Sequence, residues 1–117
     1  MIVEVMYSGR RLHEPGMPPD TASGTLVMVD NYGTPLDPSH SQRIRNHSPD
    51  GFNWGYGGSG PAQLALALLL DATNGDRELA ERHYQRFKEE FVAGWGDEWT
   101  IRRSTILDWI SKQTTEL

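Results

Sequence analysis

The chain has 117 residues, no cysteine, 11 basic and 16 acidic side chains, and a formal net charge of −5. That length fits one domain, 1–117, burying about two-thirds of its unfolded surface. The missing cysteines exclude disulfides and thiolate metal sites and point to a cytoplasmic setting. The acid is spread along the chain, with four basic and six acidic side chains in the first sixty residues and seven and ten in the rest. No basic stripe stands ready for phosphates, so nucleic acid is a poor candidate partner. No 18-residue apolar run offers a membrane span, and Met1-Ile2-Val3-Glu4-Val5 lacks the basic start of a secretory signal.

In chain order, Ile2 to Tyr7 reads as a strand, with Val3, Val5 and Tyr7 on one face, ended by Ser8-Gly9. Residues 10–24, with three prolines and two glycines, read as an exposed loop. Thr25 to Val29 is a second strand, Asp30 to Gly33 a turn, and Thr34 to Leu36 a short third strand. Residues 37–60 show no regular pattern, and an irregular stretch of that length is often functional. Pro61 to Thr73 is a helix apolar on every side, hence buried, with Gly60 as its N-cap, Pro61 at its first position and Gln63 reaching back to the cap. Asn74-Gly75 ends it. Asp76 caps a second helix from about Arg77 to Ala93, whose buried stripe is Ala80, Tyr84, Phe87 and Phe91, with Glu78/Arg82 and Arg86/Glu90 paired outside. His83 sits at the boundary of that stripe. Trp99 to Ile101 is extended, and Ser104 caps a third helix with Ile106, Trp109 and Ile110 buried. The fold class is α+β: a small antiparallel sheet packed against about three helices, the first of them buried, with 61–117 mainly helical.

The candidate chemistry concentrates in residues 48–63, which hold five glycines, two prolines and three aromatics. A glycine-rich loop delivered onto a helix N-terminus is either an anion site built from backbone N–H groups or a tight structural corner. Gly55 to Gly60 has the spacing of a P-loop, but Pro61-Ala62 replaces the Lys-Ser/Thr that loop needs. The run G-Y-G-G-S-G also spells a dinucleotide fingerprint, but no strand precedes it, and a proline spoils the nucleophile elbow around Ser59. Phe52, Trp54 and Tyr56 alternate, so on an extended backbone all three face one side. There they can anchor a protein partner, stack bases, or cover the end of the buried helix. Arg43 and Arg45 are the nearest cations for an anion at Gly58, Ser59 and Gly60. His40, His47, Asp37 and Asp50 match no metal motif, and no metal or other cofactor is expected. Ser59 and His47 are the only starting points for catalysis, and they lack an orienting third group.

Residues 47–70, H-S-P-D-G-F-N-W-G-Y-G-G-S-G-P-A-Q-L-A-L-A-L-L-L, resemble an uncharacterised domain family of bacteria, archaea, plasmids and phages. Its hallmark is close to SPDGFxWGYGGSGPAQLALA. Tyr84 to Lys88 and Trp99 through Ile110 are similar to the family's later segments, so the resemblance spans roughly 25–112. It carries no established activity or catalytic residue set. It implies a phage or mobile-element setting, hence an accessory or anti-defence factor. The sequence therefore leads to a non-enzymatic interaction protein that inhibits a host component through the loop from Arg43 to Ser59. The alternative is an anion- or nucleotide-binding domain at the glycine-rich loop. A homodimer is compatible with either.

Overall fold

The computed structural model describes residues 4–12, 24–29 and 33–115. The expected loop over 13–23 and the turn over 30–32 lie outside them. The described elements are β1 (Met6–Leu12), β2 (Gly24–Val29), β3 (Thr34–Pro35), α1 (Ser39–Ile44), α2 (Ser59–Ala72), α3 (Arg77–Glu90), a 3₁₀ turn (Val92–Gly94), β4 (Glu98–Arg102) and α4 (Arg103–Thr115). The strands form one antiparallel sheet in the order β3-β2-β1-β4. This is the expected α+β class.

Strand alternation decides which face of the sheet is covered. Tyr7 stands opposite Val29 and Ile101, and Gly9 opposite Val27 and Trp99. Tyr7, Val27, Trp99 and Ile101 are all buried, so this face meets the helices. Among the described residues the first strand is Met6–Leu12, which runs on past the expected end at Tyr7; Ile2 and Val3 of the expected strand lie outside them. Two features that looked like a loop belong inside it. Gly9 lies so close to the Trp99 indole that a Cβ there would sit 2.4 Å from the ring. Arg11 turns inward and donates to the Trp54 carbonyl at 2.6 Å. On the sheet edge, the Leu36 N–H turns in to the Val27 carbonyl at 2.9 Å. Its neighbour Pro35 has no N–H to offer on the outer side, which blunts that edge.

α2 is the centre of the core. Every residue from Gly60 to Leu69 is buried, as is Ala72. The helix packs chiefly on α3 and also touches α1, α4 and the 3₁₀ turn. Its end is built from local rules. Asn74 takes a left-handed φ of 56° and donates to the Asp71 carbonyl at 3.1 Å, while Gly75 donates to the Leu70 carbonyl at 2.8 Å. These two bonds satisfy carbonyls that a helix end would otherwise leave open. The Asp76 side chain then accepts from the Leu79 N–H and starts α3. α3 buries Ala80, Tyr84 and Phe87 of the expected stripe, while Phe91 follows the helix and is half-buried; the helix ends at Glu90, short of the expected Ala93, and bridges Arg82 to Glu78 at 2.7 Å on its solvent face. α4 begins at Arg103, so Ser104 is not its cap. The carboxylate of Glu4 accepts from the Ser104 hydroxyl at 2.6 Å and its N–H at 3.3 Å, and these bonds hold Glu4 below the usual carboxylate range. Among the described residues, no helix is long and apolar enough to cross a membrane.

Candidate functional site

The glycine-rich loop is fastened at both ends before it reaches α2. The Phe52 carbonyl accepts from the Thr25 hydroxyl at 2.8 Å. Trp54 is fully buried, with its indole N–H on the Gly96 carbonyl at 2.6 Å, its ring edge-on to Trp99 and the Arg11 guanidinium over it. Trp95 stacks on Trp99 with centroids 4.2 Å apart, which completes an aromatic cluster between the loop, β1 and β4. Gly55 then breaks the extended run with a φ of +85°, a conformation that suits glycine. The three aromatics therefore do not share a face. Trp54 points into the core, Phe52 is half-buried, and Tyr56 turns out with 47% of its surface exposed. A partner can touch Tyr56. It cannot touch the Trp54 side chain while the fold is intact.

The α2 N-terminus starts earlier than its sequence suggests. Gly58 is the cap, with an extended backbone and no side-chain bond, and Pro61 is the third helical residue. The Ala62 N–H donates to the Gly58 carbonyl at 3.0 Å, which sets this start. A Cβ on Gly58 would meet the Tyr56 ring at 2.6 Å, and one on Gly60 would meet the Asn53 Cβ at 2.7 Å and the Tyr56 hydroxyl at 3.1 Å. The glycines let an aromatic lie against the helix start. Pro61 contributes no N–H, so Gly58, Ser59 and Gly60 carry the backbone donors that the helix start leaves unpaired.

Gln63 does not cap the helix. Its buried amide fixes the preceding segment instead. The side-chain oxygen accepts from the N–H groups of His47 at 2.8 Å and Ser48 at 3.0 Å. The side-chain nitrogen donates to the Ser41 hydroxyl at 2.9 Å and the Arg45 carbonyl at 3.1 Å. The stretch expected to be irregular is thus ordered by α1 and by one amide. Its signal in the sequence was a lone polar residue inside an apolar run.

The other sequence-derived candidates lie apart. The Arg45 guanidinium faces Glu81 of α3 at 3.6 Å, and Arg43 is exposed in the last turn of α1. Neither bonds the α2 start among the described residues. Ser59 is exposed, while His47 shares a 2.7 Å hydrogen bond with Tyr84, so no bond joins the two. Among the described residues, no group of three His, Cys, Asp or Glu side chains is placed to hold a metal ion.

A cleft at the opposite end of α2 escaped the sequence reading. It measures about 440 Å³ and lies between Val29, β3, α1 and the last turn of α2, with Leu36, Asp37, His40, Leu70 and Asp71 among its lining. Behind it the buried Tyr7 hydroxyl donates to Asp71 Oδ2 at 2.6 Å, and Arg103 approaches the same oxygen at 3.5 Å. Burial, then this bond to a carboxylate, pushes the Tyr7 phenol well above its ordinary value. Tyr7 and Asp71 are 64 residues apart, so no local pattern announces the pair.

Searches of curated proteins and of solved structures find no match. Residues 7–112 match the family model described as a family of unknown function, DUF6166, and the chain belongs to that family.

Proposed function

We propose that the protein acts by binding a protein partner through the surface around Tyr56. The observation that carries this reading is one exposed aromatic on a loop already held in place by Trp54, Thr25 and Gln63. A ring fixed before binding loses little freedom on association, and tyrosine is the residue type that protein interfaces favour. The net charge of −5 matches a partner with a basic face. The mobile-element setting of the resembled family directs the search to host proteins and to inhibition of a host component.

Tyr56→Ala is expected to weaken a stoichiometric partner captured from host lysate by at least about 2 kcal/mol, roughly thirtyfold, while the melting temperature holds. Glu89→Gln, on the exposed side of α3, should bind as wild type. A partner retained by Tyr56→Ala, or lost only together with the fold, sinks the proposal.

A second reading places an anion at the α2 start. What favours it is a first turn with no acidic residue and no side-chain cap, at which Ser59 is exposed. Millimolar phosphate or nucleotide should then raise the melting temperature of the wild type. An unchanged melting temperature across a nucleotide panel rules against it.

A further inference from the structure

We infer that the cleft between β3, α1 and the C-terminal end of α2 binds a small organic cation, an ammonium group on an apolar body. Size, wall chemistry and charge agree. A volume of about 440 Å³ lies in the range of small-ligand sites. Val29, Leu36, Ala67 and Leu70 supply apolar wall. The charged side chains in the lining are Asp37 and Asp71, with His40 as the titratable neighbour and no lysine or arginine.

The two carboxylates have different origins. Asp71 is the only charged residue of α2 and sits in its last turn, which holds no basic residue. A carboxylate at the negative end of a helix dipole is unfavourable there. Tyr7 and Arg103 offset part of that cost, but both act on Oδ2. Oδ1 has no hydrogen-bond partner among the described residues. Asp37, across the cleft, accepts from the Ser39 N–H at 2.9 Å, which holds it below the usual carboxylate range and therefore ionised at neutral pH. Arg43 and His40 also act on Asp37 from α1. Arg43 and Arg103 are not part of the cleft wall, whereas His40 is. The cleft itself presents two carboxylates and a helix C-terminus against apolar wall, which suits a cationic head on an apolar body.

The site lies about 20 Å from Tyr56, the length of a 14-residue helix, so it stands or falls apart from the partner surface. The test uses the whole chain, labelled with ¹⁵N, and benzylamine as the probe, with benzyl alcohol and benzoate as neutral and anionic isosteres. Benzylamine should bind saturably at millimolar concentration and shift the amides of Leu36, Leu70, Asp71 and Gly75. Benzyl alcohol should bind about fivefold more weakly and benzoate not at all. Asp71→Asn should weaken benzylamine by a similar factor. Because Asp71 also holds Tyr7 and Arg103, the exposed Asp37→Asn gives the same readout with the fold undisturbed. Equal binding of alcohol and amine, unchanged affinity in Asp37→Asn, shifts confined elsewhere, or no saturable shift would each overturn the inference.

Discussion

Trp54→Ala is expected to lower stability by about 3–5 kcal/mol, the cost of emptying a large buried aromatic site. In a chain of this size that corresponds to a fall of roughly 10–20 °C in melting temperature. The reasons are specific. The indole is 0% exposed and packs edge-on to Trp99. Its N–H satisfies the Gly96 carbonyl, and its face carries the Arg11 guanidinium at 5.0 Å. Removing it leaves Arg11 without its stacking surface and the Gly96 carbonyl without its donor. The neighbouring rings cannot collapse into the space, because Trp99 is stacked on Trp95 and abuts Gly9. Trp54→Phe should recover most of the packing and lose about 1 kcal/mol for the missing hydrogen bond. Thermal and urea denaturation of both variants checks this. An alanine variant that melts within a few degrees of wild type would mean that Trp54 is not the keystone of the corner.

The contrast between Trp54 and Tyr56 shows what a sequence can reveal here. The existence of α2 and α3 was legible, α2 from an unbroken apolar run and α3 from apolar residues recurring every three to four positions, but the α2 start was not, since Gly58 and not Gly60 is its cap. β2 and β4 followed from short runs of strand formers. The alternation of Phe52, Trp54 and Tyr56 misled, since one positive φ at Gly55 turns the chain between the second ring and the third. No composition rule reports that sign. β1 runs on through Leu12 for a related reason. Arg10 and Arg11 look like loop charges until a carbonyl and an indole, 43 residues away, accept Arg11 inside the fold. The cleft was illegible because Asp37 and Asp71, 34 positions apart in the sequence, come to line one cavity only after α1 and α2 pack. Asp71 and Gln63 are polar residues of a mainly apolar helix, a signal that the reading of that helix as apolar on every side passed over. A polar residue there must find partners, and both do.

Gln63→Leu tests how much of the loop's order rests on one amide. Leucine keeps the volume and the helix propensity and removes every polar atom, so helix packing changes little. Four groups then lose their partner: the N–H groups of His47 and Ser48, the Ser41 hydroxyl and the Arg45 carbonyl. A buried group left unsatisfied costs about 1–3 kcal/mol. Ser41 still donates to the Pro38 carbonyl, and His47 and Ser48 are half-exposed, so water recovers part of the loss. The net expectation is about 2–4 kcal/mol, taken first as local opening of 41–48 and only then as global unfolding. Amide exchange separates the two. Protection of His47 and Ser48 should fall far more than that of Leu66 or Leu68 in the α2 core. Gln63→Glu keeps the oxygen that receives those two N–H groups but places a second oxygen against the Arg45 carbonyl. It should therefore restore protection at His47 and Ser48 without restoring stability. If Gln63→Leu leaves both exchange and stability unchanged, the Ser48 carbonyl's bond to Gln42 and the 3.6 Å pair between Arg45 and Glu81 are what hold the segment, and the rigidity that presents Tyr56 comes from α1 and α3 rather than from α2.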